Sequence, residues 1–311
     1  VKASRRVAVI AIVCVAVTSS ILTTQGRVAA QTVASFNILL GRPTDDSVTA
    51  NIIVDQDVDF YVEHGTTSGA YTAQTGTLPA IADVPVEIVI GGLAADAENF
   101  YRIVHRPAGT SEWIFGGEHS VRTQRSPGST FTFTITSDSH LGQYGGQTAD
   151  ELALYQQTLL NVDGDQPDFH IDLGDTFAMD PQPLGTGMTQ AEADAAYMVQ
   201  RPYLAEISDS VPLFLVIGNH ENEEGWNFDD AFPPPDQSLA LVGLEARKRY
   251  YPNPVPDDFY TGNTDVLPTP IGGDSLREDY YAWEWGDALF VVLDPFHYSM
   301  TWPSEGGSYG G

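Results

Sequence analysis

Three short stretches of the chain carry side chains that bind metals or move protons. They read Ser137-Asp138-Ser139-His140, Gly174-Asp175 and Gly218-Asn219-His220-Glu221. Carboxylate, imidazole and amide oxygen together suit hard-to-borderline ions such as Mn, Fe or Zn. Asp138 and His140 stand two residues apart, so a bent loop can aim an oxygen and a nitrogen at one ion. Asp175 follows a glycine, which lets the backbone approach closely. Its two oxygens can bridge two ions ~3.5–4 Å apart. A single strand-end Asp more often serves a turn or a cap, and a single His is usually just packed. It is the ordered set, at successive strand ends, that points to a site.

Strands must deliver those stretches. Phe131 to Thr136 alternates as a strand, and Phe169 to Leu173 is a second. Val211 to Ile217 is a third, apolar enough to be buried on both faces. Ala288 to Leu293 reads as a fourth of the same kind, ending at Asp294. Between them, Thr148 with Glu151 and Thr189 with Glu192 form capping boxes. The first opens a helix with Leu152, Tyr155, Leu159 and Leu160 on one face, and the second a helix towards Ile207. Strand and helix alternate as in an open α/β sheet, whose sites lie beyond the carboxyl ends of the strands. A long insertion, Glu221 to Glu284, precedes the fourth strand and is rich in Pro, Gly, Asp and aromatics. Something must hold it, or it is a lid. Trp226, Phe228 and Tyr250-Tyr251 within it read as core before they read as substrate-stacking residues.

Residues 31–125 read as an all-β module. Val48, Ala50 and Ile52 alternate with polar residues, as do Val58, Phe60 and Val62, and glycine-rich turns separate the runs. Short strands with regular turn signals mean an immunoglobulin-like or fibronectin-like sandwich. Asp55, Asp57 and Asp59 begin like a calcium loop, but the sixth position is Phe60 and the twelfth Thr66, so they read as an acidic strand edge. Arg125-Ser126-Pro127-Gly128-Ser129 is the linker to residues 126–311. His64, His105 and His119 read as surface or turn residues. His170, mid-strand, reads as packed or supporting, and His297 lies near the rim as a candidate substrate or metal contact.

The chain has 311 residues, 42 acidic against 14 basic, for a net charge of −28. So acidic a field repels phosphate backbones and anionic membranes, which argues against nucleic-acid binding. Lys2, Arg5 and Arg6, the apolar run Val7 to Val17, and Val28-Ala29-Ala30 have the layout of a secretory signal peptide over residues 1–30. The apolar run is shorter than the ~20 residues of a membrane span. The expectation is a secreted or periplasmic protein with no stable membrane insertion after cleavage. Cleavage removes four basic residues, leaving −32, and removes Cys14, the one cysteine. No internal disulfide is then available. Oligomeric state is not legible.

With those motifs in place, the sequence resembles the calcineurin-like metallophosphoesterases. That family's pattern is D-x-H, then G-D, then G-N-H-E or G-N-H-D, then a later His and G-H-x-H. The matches are Asp138-Ser-His140, Gly174-Asp175 and Gly218-Asn219-His220-Glu221, in order and after strands. The N-terminal module looks like the fibronectin-like domain that precedes the catalytic domain in purple acid phosphatases. The resemblance implies a two-metal centre that hydrolyses a small phosphate ester, mono- or diester. It implies that Asp138 and His140 bind one metal, Asp175 bridges both, and Asn219 binds the second through its amide oxygen. His220 would act on the leaving group as acid or charge stabiliser, without being a ligand. Ala178 stands where purple acid phosphatases carry a metal-bound tyrosine, and His140 where they carry glycine, so a general metal pair is expected. No G-H-x-H occurs, and the only histidine after His220 is His297. The expectation is a catalytic domain represented by its N-terminal part, its remaining ligands lying in a continuation.

Two other classes remain open on the sequence. One is a catalytically degenerate extracellular binding protein on the same fold, against which the intact ligand set argues. The other is a serine hydrolase using Ser137 or Ser139 with His140, but no G-x-S-x-G elbow surrounds either serine. No P-loop or dinucleotide glycine pattern is present.

Overall fold

Alternating apolar and polar residues, cut by turns, build an antiparallel sandwich from the first described residues. The computed structural model describes residues 33–141, 148–177, 179, 187–228, 238–262, 266–269 and 273–295. The signal-peptide segment 1–30, Ala178 and His297 lie outside these residues, as do the side chains of Trp226 and Phe228. Two compact units, residues 1–33 and 34–311, divide the chain, and everything below concerns the second.

The sandwich comprises β1 (Phe36–Gly41), β2 (Ser47–Val54), β3 (Val58–Gly65), β4 (Ala73–Gln74), β5 (Leu78–Ala80), β6 (Val86–Gly91), β7 (Glu98–Pro107) and β8 (Ile114–Arg122). One sheet runs β1-β2-β6 and the other β4-β3-β7-β8, with β5 also paired to β3. Val48, Ala50 and Ile52 face Val58, Phe60 and Val62 across a shared apolar core. Asp55 and Asp57 accept backbone N–H bonds from Ser35 and Ala82, each 2.9 Å. They serve turns, as the acidic-edge reading expects. His64 and His105 correct the expectation of surface positions: they are 5% and 1% exposed. Both lie inside strands, and the His105 ring packs edge-on against Phe36 at 4.9 Å.

The second face of the β1-β2 sheet does not meet solvent. Thr49 and Asn51, the polar members of the alternation, are buried. Leu39 and Ile53 join a different core, made with the helices that follow. β1 and β2 are thus covered on both faces, while β6 leaves Val89 exposed beside them.

The α/β part begins with β9 (Phe133–Thr136), α1 (Ala149–Gly164), β10 (Phe169–Asp172), α2 (Gln190–Ser208) and β11 (Leu213–Leu215). These strands form a parallel sheet in the order β11-β10-β9. Both capping boxes are present, at Thr148 and Thr189. The buried face of α1 is Tyr155, Leu159 and Val162. Leu160, expected on that face, is 46% exposed, because one step past Leu159 turns ~100° round the helix.

The insertion is held down by its own structure. It contains α3 (Leu239–Tyr250), then β12 (Thr261–Gly262), β13 (Val266–Thr269), β14 (Gly273–Leu276) and β15 (Tyr281–Trp285). Leu239, Val242 and Ala246 of α3 enter the core with Tyr197 and Leu204 of α2, and Tyr250 and Tyr251 are buried with them. Arg247 donates twice to Glu223, at 2.7 and 2.8 Å, with both side chains fully buried. Leu, Ala, Glu and Arg in the run Leu239 to Arg247 favour this helix, but Val242-Gly243 within it and the Pro-rich surroundings mask it.

The fourth expected strand requires a correction. β16 (Ala288–Val292) does not extend the parallel sheet. It pairs antiparallel with β15 in a separate sheet, β12-β15-β16. Nor is it buried on both faces: Leu289, Val291 and Leu293 are 56–70% exposed. Gly286-Asp287 closes a two-residue hairpin, with Gly286 at φ +58° as such a turn requires. The inner face, Trp283, Trp285, Phe290 and Val292, packs on Phe169 and Phe214 of the parallel sheet. Among the described residues no helix is long and apolar enough to cross a membrane.

Candidate metal centre

The three parallel strands end in loops that bond to one another through their backbones. The loop after β9 follows the loop after β10: Asp138 N donates to Gly174 O and His140 N to Asp175 O, each 3.0 Å. Leu141 and Phe177 continue that pairing as a parallel bridge. After β11 the chain turns through a short 3-10 helix, Asn219–Glu221. His220 N donates to Asp175 Oδ1 at 2.8 Å, and Met179 N to His220 O at 3.2 Å. Gly174 and Gly218 sit where the second and third loops cross. A side-chain carbon on Gly174 would run into the backbone of Gly218, and one on Gly218 into the Asp175 carboxylate. That close approach is the physical reason both positions are glycine.

The side chains converge accordingly. One ligand atom each from His140, Asp175 and His220 lies within 4.8 Å of the others, and all three residues are half-buried. The His140 and His220 rings stand edge to face, 4.8 Å between centroids. Asp138 lies at the margin, with Oδ1 3.6 Å from His140 Nε2 and its side chain 63% exposed. Ser137 Oγ donates to Asp138 Oδ2. Asn219 opens the 3-10 turn directly beside His220. The His140 imidazole and the Asp175 carboxylate are donors suited to Zn, Mn or Fe, and the His220 ring lies beside them, close enough to act on a group bound there. The residues present therefore fit a bound transition metal.

Three of these residues hold left-handed backbone: Asp138 at φ +59°, His140 at +48° and Asp175 at +52°. Such conformations cost about 1–2 kcal/mol for a residue with a side chain. Neighbouring hydrogen bonds must enforce them: Asp138 N and His140 N donate to the Asp175 loop, and Glu221 holds that loop in turn. Glu221 is fully buried. Its Oε1 accepts from Thr176 N (2.9 Å) and Phe177 N (3.1 Å), and its Oε2 from Asp175 N (3.1 Å) and Gly218 N (2.5 Å). One carboxylate thus ties the Asp175 loop to the His220 loop. Burial pushes its carboxyl up to about 7, although all four backbone donors pull the other way. Asp172 plays a smaller part of the same kind, accepting from Gly174 N at 3.1 Å and from Thr176 Oγ1. Burial raises its carboxyl to about 6. In the sequence Glu221 stands out only as the last residue of Gly218-Asn219-His220-Glu221, and no motif marks Asp172. A buried acid beside a glycine turn was the available signal.

His170 is packed, as expected. Its Nδ1 and Nε2 lie 2.9 Å from the Thr134 and Thr136 hydroxyls. Burial lowers its pKa to about 4. An unfolded histidine titrates near 6.5, so between pH 4 and 6.5 the unfolded chain binds the extra proton. The contribution of His170 to stability is therefore full above pH 6.5 and is lost as pH falls to 4. The loss is on the order of 3 kcal/mol. The difference in unfolding free energy between wild type and His170→Asn, measured by urea titration at pH 7 and pH 4, should shrink by that amount. A pH-independent difference would refute the buried neutral ring.

The fold places a candidate metal-binding group at the ends of parallel strands, and residues 131–298 match the family model for calcineurin-like phosphoesterases. The chain belongs to that family. Its fold is similar to the structure of PhoD, with a TM-score of 0.56 and 16% identity, covering 85% of this chain and 52% of that one. It is also similar to the purple acid phosphatase PPD1 from yellow lupin (Lupinus luteus) seeds, with a TM-score of 0.54 and 18% identity, covering 83% and 44%. The chain thus spans about half the length of these two. Comparison with curated proteins gives no match.

Proposed function

We propose that the protein is a metal-dependent hydrolase of phosphate mono- or diesters, working outside the cytoplasm after removal of residues 1–30. The observation that carries the reading is the convergence of His140, Asp175 and His220 at the ends of parallel strands, in a chain of this family. In this reading Asp138 and His140 would hold one ion, Asp175 would be shared between two, and Asn219 would offer its amide oxygen to the second. When bound, two Fe, Mn or Zn ions supply Lewis acidity and a hydroxide at near-neutral pH. Asp175 would supply negative charge to them, and its Oδ1 accepts the His220 N–H and fixes that backbone. His220, held at that edge, gives a proton or charge stabilisation to the departing alkoxide. Local cations also answer the charge problem, since an anionic ester would otherwise meet a strongly acidic protein.

Chelation tests this reading. Protein stripped with EDTA should lose hydrolysis of p-nitrophenyl phosphate or bis(p-nitrophenyl) phosphate and regain it with Mn, Zn or Fe. Turnover indifferent to chelation would overturn the metal mechanism. A folded, metal-free, inactive full-length protein would instead mark a binding protein on this fold.

A further inference from the structure

Gln200 and Arg201 are neighbours in α2, are both fully buried, and reach in different directions. Gln200 Nε2 donates to Ser139 Oγ at 2.9 Å and to Thr176 O, and Ser139 Oγ lies 3.2 Å from Gln200 Oε1. Ser139 stands between Asp138 and His140, and Thr176 follows Asp175. A single amide therefore clamps both loops that carry candidate ligands. Arg201 Nε donates to Asn37 Oδ1 on β1 at 2.8 Å, and Nη2 to Asn51 O on β2 at 2.9 Å. Its Nη1 donates to Tyr250 O at the end of α3. Asn37 Nδ2 returns a long bond, 3.5 Å, to Arg201 O.

We propose that Gln200–Arg201 is a positioning relay through which the β-sandwich sets the geometry of the metal centre. The proposal rests on the metal-centre reading above for its chemistry and on α2 for its mechanics. Arg201 fixes one turn of the helix against two sandwich strands, with its guanidinium donors taken up by groups outside that helix. Rotation or sliding of the turn would break these bonds and leave buried donors unpaired, which costs more than the bonds contribute. The preceding residue, Gln200, then has a fixed origin from which to hold Ser139 and Thr176. Pro202 follows at once inside the helix and lacks an N–H, so this turn has fewer helical bonds of its own to hold it. The sandwich contacts supply what the helix lacks there. Groups that orient metal ligands from behind typically change metal affinity 10–100-fold when removed.

The test uses the full chain and Mn²⁺ alone, titrated calorimetrically. Gln200→Leu should weaken Mn²⁺ binding about 10–100-fold. Asn37→Ala, on the sandwich side and away from the ligands, should weaken it in the same direction by a smaller factor. This second variant decides the matter where Gln200→Leu does not fold. Tyr101→Phe is the control: it removes a different sandwich contact to the same helix, Tyr101 Oη to the O of Asp209 at the C-cap of α2, 2.5 Å, about two turns from Gln200 and Arg201 and bonded to neither. It should lower the unfolding midpoint and leave Mn²⁺ affinity unchanged. Wild-type affinity in Gln200→Leu and Asn37→Ala would overturn the relay, and so would an equal loss in Tyr101→Phe. A wild-type chain that takes up no Mn²⁺ would remove the metal reading and not the relay. The ring NMR signals of His140 and His220 then decide. Displacement in both relay variants but not in Tyr101→Phe supports the relay, and unmoved rings overturn it.

Discussion

Asp175→Asn should lower phosphoesterase activity by on the order of 10³-fold, about 4 kcal/mol of transition-state stabilisation, and should reduce metal content with it. The substitution is a sharp probe because it preserves so much. Asp175 Oδ1 accepts the His220 N–H at 2.8 Å, and an asparagine oxygen can accept the same bond. The backbone pairing of His140 N with Asp175 O does not involve the side chain at all. What disappears is one negative charge and one of two acceptor oxygens, which becomes an NH₂ donor aimed at where a cation belongs. Loss of fold is therefore not the expected route to inactivity. Metal analysis alongside hydrolysis of p-nitrophenyl phosphate and its diester reads both effects. Full activity with an undiminished metal complement would sink the bridging role.

The second large effect is expected at a residue that touches no substrate. Glu221→Gln should destabilise the folded chain by about 3–5 kcal/mol, because an amide has one acceptor oxygen where four backbone donors converge. Two buried N–H groups would then face an NH₂ group, at about 1–3 kcal/mol each. Metal affinity should fall with stability, since the two loops are no longer tied together. Urea unfolding and a metal titration on the same samples measure both. A stability within 1 kcal/mol of wild type would mean that the loops are held by something other than this carboxylate.

The three site-bearing loops were legible because their residue types are chemically unusual together and follow apolar strands. The capping boxes at Thr148 and Thr189 were legible for the same local reason: a side chain three residues away answers a backbone donor. What failed was whatever depended on a distant partner. The exposed face of β16 could not be read from Ala288 to Leu293 alone, since an apolar run looks the same whether one face or both are covered. Its hairpin partner and the Gly286-Asp287 turn were in plain view, but only pairing shows which sheet they join. His64 and His105 were misplaced because a polar side chain inside a strand faces inward or outward by register, and register is set across strands. Gln200 and Arg201 left no motif at all. Each makes its bonds to residues at least 24 positions away in the chain.

The left-handed backbone at Asp138, His140 and Asp175 has a consequence for how such a chain can drift over generations. Glycine at any of the three would relax the loop and raise the stability of the fold while deleting a candidate ligand. Selection for robustness alone would thus erode the centre one position at a time, and each erosion would be rewarded. Holding Asp, His and Asp in these conformations therefore sets the stability of the fold against the candidate ligands at three positions, and a screen for stability alone would favour glycine at each.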